Sequence, residues 1–244
     1  MAYSTGYCDR VIDHPSTLYI FPHAGGSARY YVPLARALPS GLKPVAVQYP
    51  GRRGTHDVAG LAGIADLAEA VYGRLAAAAP AEGGIALFGH SMGSLVAFEV
   101  ARRFEAAGRS VAQLFVSACA APGRAGFDDV PDTDRGLLEA VTRLTGAGPE
   151  LLENDEFAAR ILPTLRGFKA ITDYSCPPDA TVRCPIQAYY ADTDQIATYD
   201  QVSAWSERTG AAFGIRSFPG HHFYFEDDAD QLASDIERVL TTPH

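Results

Sequence analysis

Short apolar runs alternate with helical stripes along most of this chain. Residues 18–21, 45–49, 85–88, 114–118, 186–190 and 213–218 are mostly apolar and rich in β-branched and aromatic side chains, which predicts strands buried on both faces. Leu61, Ile64, Leu67, Val71 and Leu75 recur at helical spacing and predict a helix over 61–79. The run at 85–88 passes at once into a helical pattern over about 92–107, which Gly108 ends. Further helices are predicted near 200–209 and over about 228–240. Strands alternating with helices argue for an α/β fold, a mostly parallel sheet flanked by helices.

One stretch breaks the rhythm. About 65 residues between the fourth and fifth strands carry no strand pattern. They open with Pro122, Gly123 and an acidic loop around Asp128 and Asp129. Leu137, Leu138, Val141 and Leu144 then make one helical face, and Phe157, Ile161, Leu165 and Phe168 another. Pro163 starts or kinks the second helix. The segment, about 122–180, is expected to be a helical lid insertion within one domain spanning 1–244. Core packing accounts for most of its apolar side chains. An inner face lining an apolar channel accounts for the rest.

Composition narrows the classes. The 244 residues are 47% hydrophobic and 20% charged, as in ordinary globular chains. Twenty basic residues against 29 acidic ones leave a net charge of −9. That balance speaks against binding nucleic acid or an anionic membrane. No apolar run approaches ~20 residues, so no membrane span is predicted. Residues 1–11 lack the basic and apolar segments of a secretory signal, so a cytoplasmic location is expected. Cys8, Cys119, Cys176 and Cys184 form no C-x-x-C pair and have no histidine at metal-ligand spacing. They read as free thiols in a reducing compartment, with no metal site.

The chemistry centres on Gly89-His90-Ser91-Met92-Gly93. A G-x-S-x-G arises by chance in about one chain in ten of this size. Here it follows a buried strand and opens a long helix, the strand–turn–helix setting of a nucleophile elbow. The competing reading is a serine capping an ordinary helix. A serine hydroxyl needs a base, and in elbow enzymes the chain order is serine, acid, histidine. His221 and His222 follow the last strand directly, whereas His244 is the terminal residue. Asp192 and Asp194 both follow the strand at 186–190 and are equal candidates for the acid that holds the imidazole tautomer. The oxyanion hole needs two backbone N–H groups. One belongs to Met92, and the other comes from the loop Phe21-Pro22-His23-Ala24-Gly25-Gly26. His23 precedes the serine and reads as a loop-shaping residue.

Four motifs together resemble one family: Phe21–Gly26, Gln48-Tyr49-Pro50-Gly51-Arg52, Gly89–Gly93 and Gly220-His221-His222-Phe223. The chain is similar, from about Leu18 to Leu240, to the type II thioesterases of polyketide and nonribosomal peptide synthesis. The likeness is strongest to the mycobacterial members associated with cell-wall polyketide lipids, over Tyr19–Gly26, Phe115–Cys119 and Tyr174–Pro178. The resemblance implies an α/β-hydrolase fold and a serine hydrolase that cleaves acyl thioesters. It places the nucleophile at Ser91, the acid at Asp194 and the base at His222, with oxyanion donors at the Ala24 and Met92 amides. No cofactor is implied. The acyl group would arrive on the phosphopantetheine of an acyl or peptidyl carrier domain, a transient partner, and a monomer is expected. The family's acid lies in Gly-Asp-x-Asp, whereas Ala191 stands here in the glycine's place. If that position needs a positive φ, alanine would strain the loop. Because such carriers are acidic, a local basic patch is expected at Arg52 and Arg53, or at Arg102, Arg103 and Arg109. Alternatives on the same scaffold are an ester or lactone hydrolase, a product-releasing thioesterase and a non-catalytic interaction protein.

Overall fold

The computed structural model describes residues 15–49, 63–78, 84–124, 133, 135–136, 138–139 and 174–242. Its elements in chain order are β1 (Pro15–Phe21), α1 (Val32–Ala37) after a 3-10 turn at Ala28–Tyr31, β2 (Lys43–Ala46), α2 (Ile64–Ala78), β3 (Gly84–His90) and α3 (Met92–Ala106). Next come β4 (Val111–Ser117), β5 (Ile186–Ala191), α4 (Tyr199–Ser203) running into a 3-10 helix at Ala204–Arg208, β6 (Phe213–Phe218) and α5 (Ala229–Thr241). The strands form one six-stranded sheet in the order β2-β1-β3-β4-β5-β6, and every pairing is parallel.

The alternation of side chains explains why these runs read as continuously apolar. Tyr19, Phe21, Ile85, Leu87, Leu114 and Val116 face the layer containing α2 and α3. Leu18, Ile20, Ala86, Phe88 and Phe115 face the opposite layer, with α1 and α5. The inner strands β1, β3, β4 and β5 therefore bury both of their faces, as a parallel sheet covered by helices requires, while the edge strands β2 and β6 are mostly half-buried. The third helix has almost no polar face because it lies between the sheet, α2 and Trp205. Gly108 ends it at φ 77.

Topology puts a crevice at one place. The chain goes from β1 outward to β2, then returns to β3 on the other side of β1. Strand order thus reverses between β1 and β3, and in open parallel sheets the carboxyl ends at such a switch point form the ligand crevice. The loop Pro22–Gly26 leaves β1 there, and Ser91 leaves β3 there.

The helical lid insertion expected at about 122–180 falls largely outside the described residues, and so do its predicted faces apart from Leu138, which is buried against the α3 side of the core. Both of its ends are described, and one side chain holds them. The buried Arg208 guanidinium donates to Pro122 O at 2.8 Å on the incoming side and to Pro178 O at 2.8 Å on the outgoing side. The described ends of the segment between β4 and β5 are therefore tied to one guanidinium, that of Arg208.

Candidate active site

The turn at Ser91 is built by contact distances. A Cβ on Gly89 would lie 2.2 Å from Gly93 O, and one on Gly93 would lie 2.0 Å from Phe21 O. Neither position accepts a side chain, because helix α3 starts directly on the end of β3 and against the end of β1. Ser91 takes φ 52 and ψ −125, a backbone state that costs a non-glycine residue about 1–3 kcal/mol. Its N–H is held by Ser117 O at 2.7 Å. Ser91 occupies the N-cap of α3, yet its side chain makes no capping hydrogen bond. That removes the helix-capping reading and leaves a strained serine with its hydroxyl uncommitted to the helix. The Met92 N–H is in the first turn, where a helix leaves its donors without intrahelical partners.

The loops after β5 and β6 bring an imidazole and a carboxylate together. His222 is buried, and its Nδ1 lies 2.8 Å from Asp194 Oδ2. The other carboxylate oxygen of Asp194 accepts the N–H groups of Ile196 and Ala197 at 2.9 and 3.2 Å. Burial pushes the Asp194 carboxyl up, but the hydrogen bond and charge of His222 with these two N–H groups outweigh it. The carboxyl sits below its ordinary range. Asp192 has a different task. It is exposed, and its Oδ1 accepts Gly220 N–H at 2.9 Å. Thr193 N–H and hydroxyl both donate to Gly220 O. Asp192 and Thr193 thus stitch the loop after β5 to the loop carrying His222, at a glycine whose φ is 113. His221 points outward and accepts Phe223 N–H at 3.3 Å. Ala191 belongs to β5 and is not among the positive-φ residues, so alanine introduces no strain there.

Sequence reading missed the packing around His222. His90, fully buried, lies with its ring centroid 5.2 Å from that of His222. Its Nδ1 pairs with Ser117 Oγ at 2.9 Å, and Ser117 Oγ with the Tyr224 hydroxyl at 2.8 Å. This chain ties β3 and β4 to the loop carrying His222. Burial, then His222 and His23, hold the His90 imidazole well below the usual histidine range, so it stays neutral. A cation there would oppose a charge on His222. A stability effect follows. The unfolded chain protonates His90 below about pH 6.5, while the folded chain does not. Its contribution is therefore complete above pH 6.5 and declines as pH falls, by up to about 1.4 kcal/mol per pH unit. Denaturant melts between pH 5 and 7.5 are expected to show a shallower pH slope for His90→Gln than for the parent chain.

Two arginines of the expected basic patch have partners within the fold. Arg102 pairs with Glu99 at 2.8 Å, and Arg103 bridges Glu99 at 2.6 Å and Glu69 of α2 at 2.8 Å. Tyr174 also donates to the buried Glu99. These arginines satisfy a buried carboxylate and staple α2 to α3. Arg109 lies over the Phe104 ring at 5.4 Å, and Arg52 and Arg53 lie outside the described residues. Among the described residues there is no metal-binding cluster, and no helix is long and apolar enough to cross a membrane. Cys119, Cys176 and Cys184 are free thiols.

An all-parallel sheet, a strained serine between β3 and α3, and an Asp–His pair on the last two strand loops define the α/β-hydrolase class. Residues 16–240 match the thioesterase domain family, and the chain belongs to it. It is 48% identical over 222 residues to thioesterase TesA of Mycobacterium leprae, covering 91% of this chain and 85% of that one. It is 37% identical over 236 residues to thioesterase PikA5 of Streptomyces venezuelae, covering 92% and 81%. The solved structure of the type II thioesterase BorB from the borrelidin biosynthetic cluster superposes with a TM-score of 0.78 at 38% identity, covering 93% of each chain. The chain is accordingly a hydrolase acting on thioesters.

Proposed function

We propose that this chain is an editing, type II thioesterase that clears acyl groups from the phosphopantetheine arms of polyketide or nonribosomal peptide carrier domains. Ser91 is the nucleophile, His222 the base and Asp194 the acid that orients it. The observation that carries the reading is the buried 2.8 Å pair of His222 Nδ1 and Asp194 Oδ2. With Nδ1 engaged, Nε2 is the nitrogen left to take a proton.

His222 Nε2 removes the Ser91 proton as Oγ bonds to the thioester carbon. The carbonyl electrons move onto oxygen, and the Ala24 and Met92 N–H groups hold that charge. Collapse breaks the C–S bond, and the proton on His222 goes to the leaving sulfur. Water then attacks the acyl-enzyme, giving its proton to His222, and the second collapse returns that proton to Ser91. No step draws on a cofactor or metal. The carrier is a transient partner. The protein acts as a cytoplasmic monomer, with the insertion near 122–180 as its lid.

The test compares hydrolysis of acyl groups on carrier proteins with that of oxygen esters of the same acids. Higher kcat/KM on the carrier thioesters, with free acid as product, is the expected result. Faster turnover of the oxygen esters would make the chain an ester hydrolase, and cyclised product would make it a product-releasing enzyme.

A further inference from the structure

We propose that the hydroxyls of Tyr31 and Tyr49 are positioning groups for the oxyanion hole, fixing the direction of the Ala24 N–H by clamping the peptide before it. The proposal rests on the reading of Ala24 and Met92 as the oxyanion donors.

Two consecutive peptide units are involved. In the Pro22–His23 unit, the carbonyl accepts the Tyr49 hydroxyl at 2.8 Å, and the N–H donates to the Tyr31 oxygen at 3.1 Å. A planar unit held at both ends cannot rotate about the chain axis. In the next unit, His23–Ala24, the carbonyl accepts Gly26 N–H at 2.9 Å. Gly25 supplies φ 74 in the turn this bond closes. The Ala24 N–H is trans to that carbonyl in the same plane, so it must point away from the turn.

The His23 side chain completes the clamp. Its Nδ1 lies 2.8 Å from the same Tyr31 oxygen. With the ring in its Nε2–H form, the phenol accepts the backbone N–H and donates its own proton to Nδ1. The ring lies over Gly26, where a Cβ would come within 2.7 Å of it. On the other side, a Cβ on Gly93 would sit 2.7 Å from Pro22 O, so the first turn of α3 abuts the same peptide. Tyr31 is fully buried, and burial pushes both phenols up, so they remain protonated. This assigns a task to the tyrosine of the Gln48–Arg52 motif and to His23, neither of which the hydrolytic steps use.

Oxyanion donors act on charge that exists only in the transition state. A loosened Ala24 amide should therefore lower kcat and spare KM. Tyr31→Phe and Tyr49→Phe keep the rings and remove the hydroxyls. Three quantities are measured: kcat and KM on an acyl thioester, Ki of a trifluoromethyl ketone analogue, and Kd of an unreactive thioether analogue. The ketone captures Ser91 as a hemiketal, Oγ adding to carbon, the proton passing to His222 and the carbonyl oxygen becoming anionic. Each variant is expected to lose about 10–100-fold in kcat, less than deletion of a donor costs. KM and thioether binding should hold, and ketone affinity should weaken by a matching factor. Thermal melts accompany the kinetics, and if Tyr31→Phe folds poorly, Tyr49→Phe carries the test. Unchanged kcat and ketone Ki in the folded variants, even with lowered Tm, would overturn the clamp. Ser91→Ala separates this from failure of the underlying reading. Ketone binding that survives Ser91→Ala overturns the acyl-enzyme mechanism. Ketone binding that is lost there but untouched in the tyrosine variants overturns only the clamp.

Discussion

Ser91→Ala is expected to lower kcat on acyl thioesters by about 10⁶-fold, the size seen when a serine triad loses its nucleophile, while leaving stability within about 0.5 kcal/mol of the parent. Both halves follow from the turn. The Ser91 hydroxyl makes no capping bond to α3, so its removal takes no hydrogen bond from the helix. Alanine has the same Cβ as serine and meets the same strain at φ 52. The Ser91 N–H bond to Ser117 O is backbone and survives. The residual rate comes from substrate binding and the oxyanion donors. Single-turnover hydrolysis and a denaturant melt on the same preparation check the two halves. A large stability loss would mean that the strained serine serves the fold. Hydrolysis near the parent rate would remove Ser91 from the mechanism.

Much of this scaffold was legible because burying both faces of a parallel sheet writes apolar runs into the chain. All six predicted strands form, each near its expected position. The elbow was legible for a related reason: its glycines stand where an added Cβ would lie 2.2 or 2.0 Å from a backbone oxygen, so no side chain is tolerated. What escaped was short or non-local. Helix α1 spans six residues, Val32–Ala37, too few to display a periodic stripe, and it exists by packing on α5. The helix expected near 200–209 divides into an α and a 3-10 segment. Trp205 and Arg208, on the second segment, reach backbone carbonyls at Cys119 and at both ends of the insertion. The pairing of Arg102 and Arg103 with Glu99 was written in their i+3 and i+4 spacing. His90 gave no sign of its bond to Ser117, because that contact joins adjacent strands far apart in sequence. The Tyr49 contact on Pro22 likewise joins distant segments, the loops after β2 and β1, and the Tyr31 contact on His23 depends on how the 3-10 turn folds back on the β1 loop.

Choosing between Asp192 and Asp194 was beyond spacing alone, and substitution by asparagine separates them. Asp194→Asn is expected to lower kcat by about 10⁴-fold, whereas Asp192→Asn leaves it near the parent value. The reason lies in the two backbone donors on Asp194. Its Oδ1 accepts Ile196 and Ala197 N–H, so an asparagine amide settles with its carbonyl oxygen there. Its NH2 group must then face His222 Nδ1, where Oδ2 now stands 2.8 Å away. A donor meeting Nδ1 drives the ring proton to Nε2. An imidazole protonated at Nε2 has nothing with which to take the Ser91 proton. Asparagine at 192 meets one donor only, Gly220 N–H, and its carbonyl oxygen can accept it, so the stitch to the His222 loop persists. The two variants also differ in stability against pH. The Asp194 carboxyl is held below its unfolded value, so its contribution is complete above about pH 4 and is lost as pH falls through the folded value. Asp194→Asn should therefore flatten the acid limb of the stability profile. Steady-state kinetics at neutral pH and melts from pH 2.5 to 6 on both variants read these effects. A 10⁴-fold loss in Asp192→Asn with activity kept in Asp194→Asn would move the acid to Asp192 and require the His222 loop to rearrange when substrate binds.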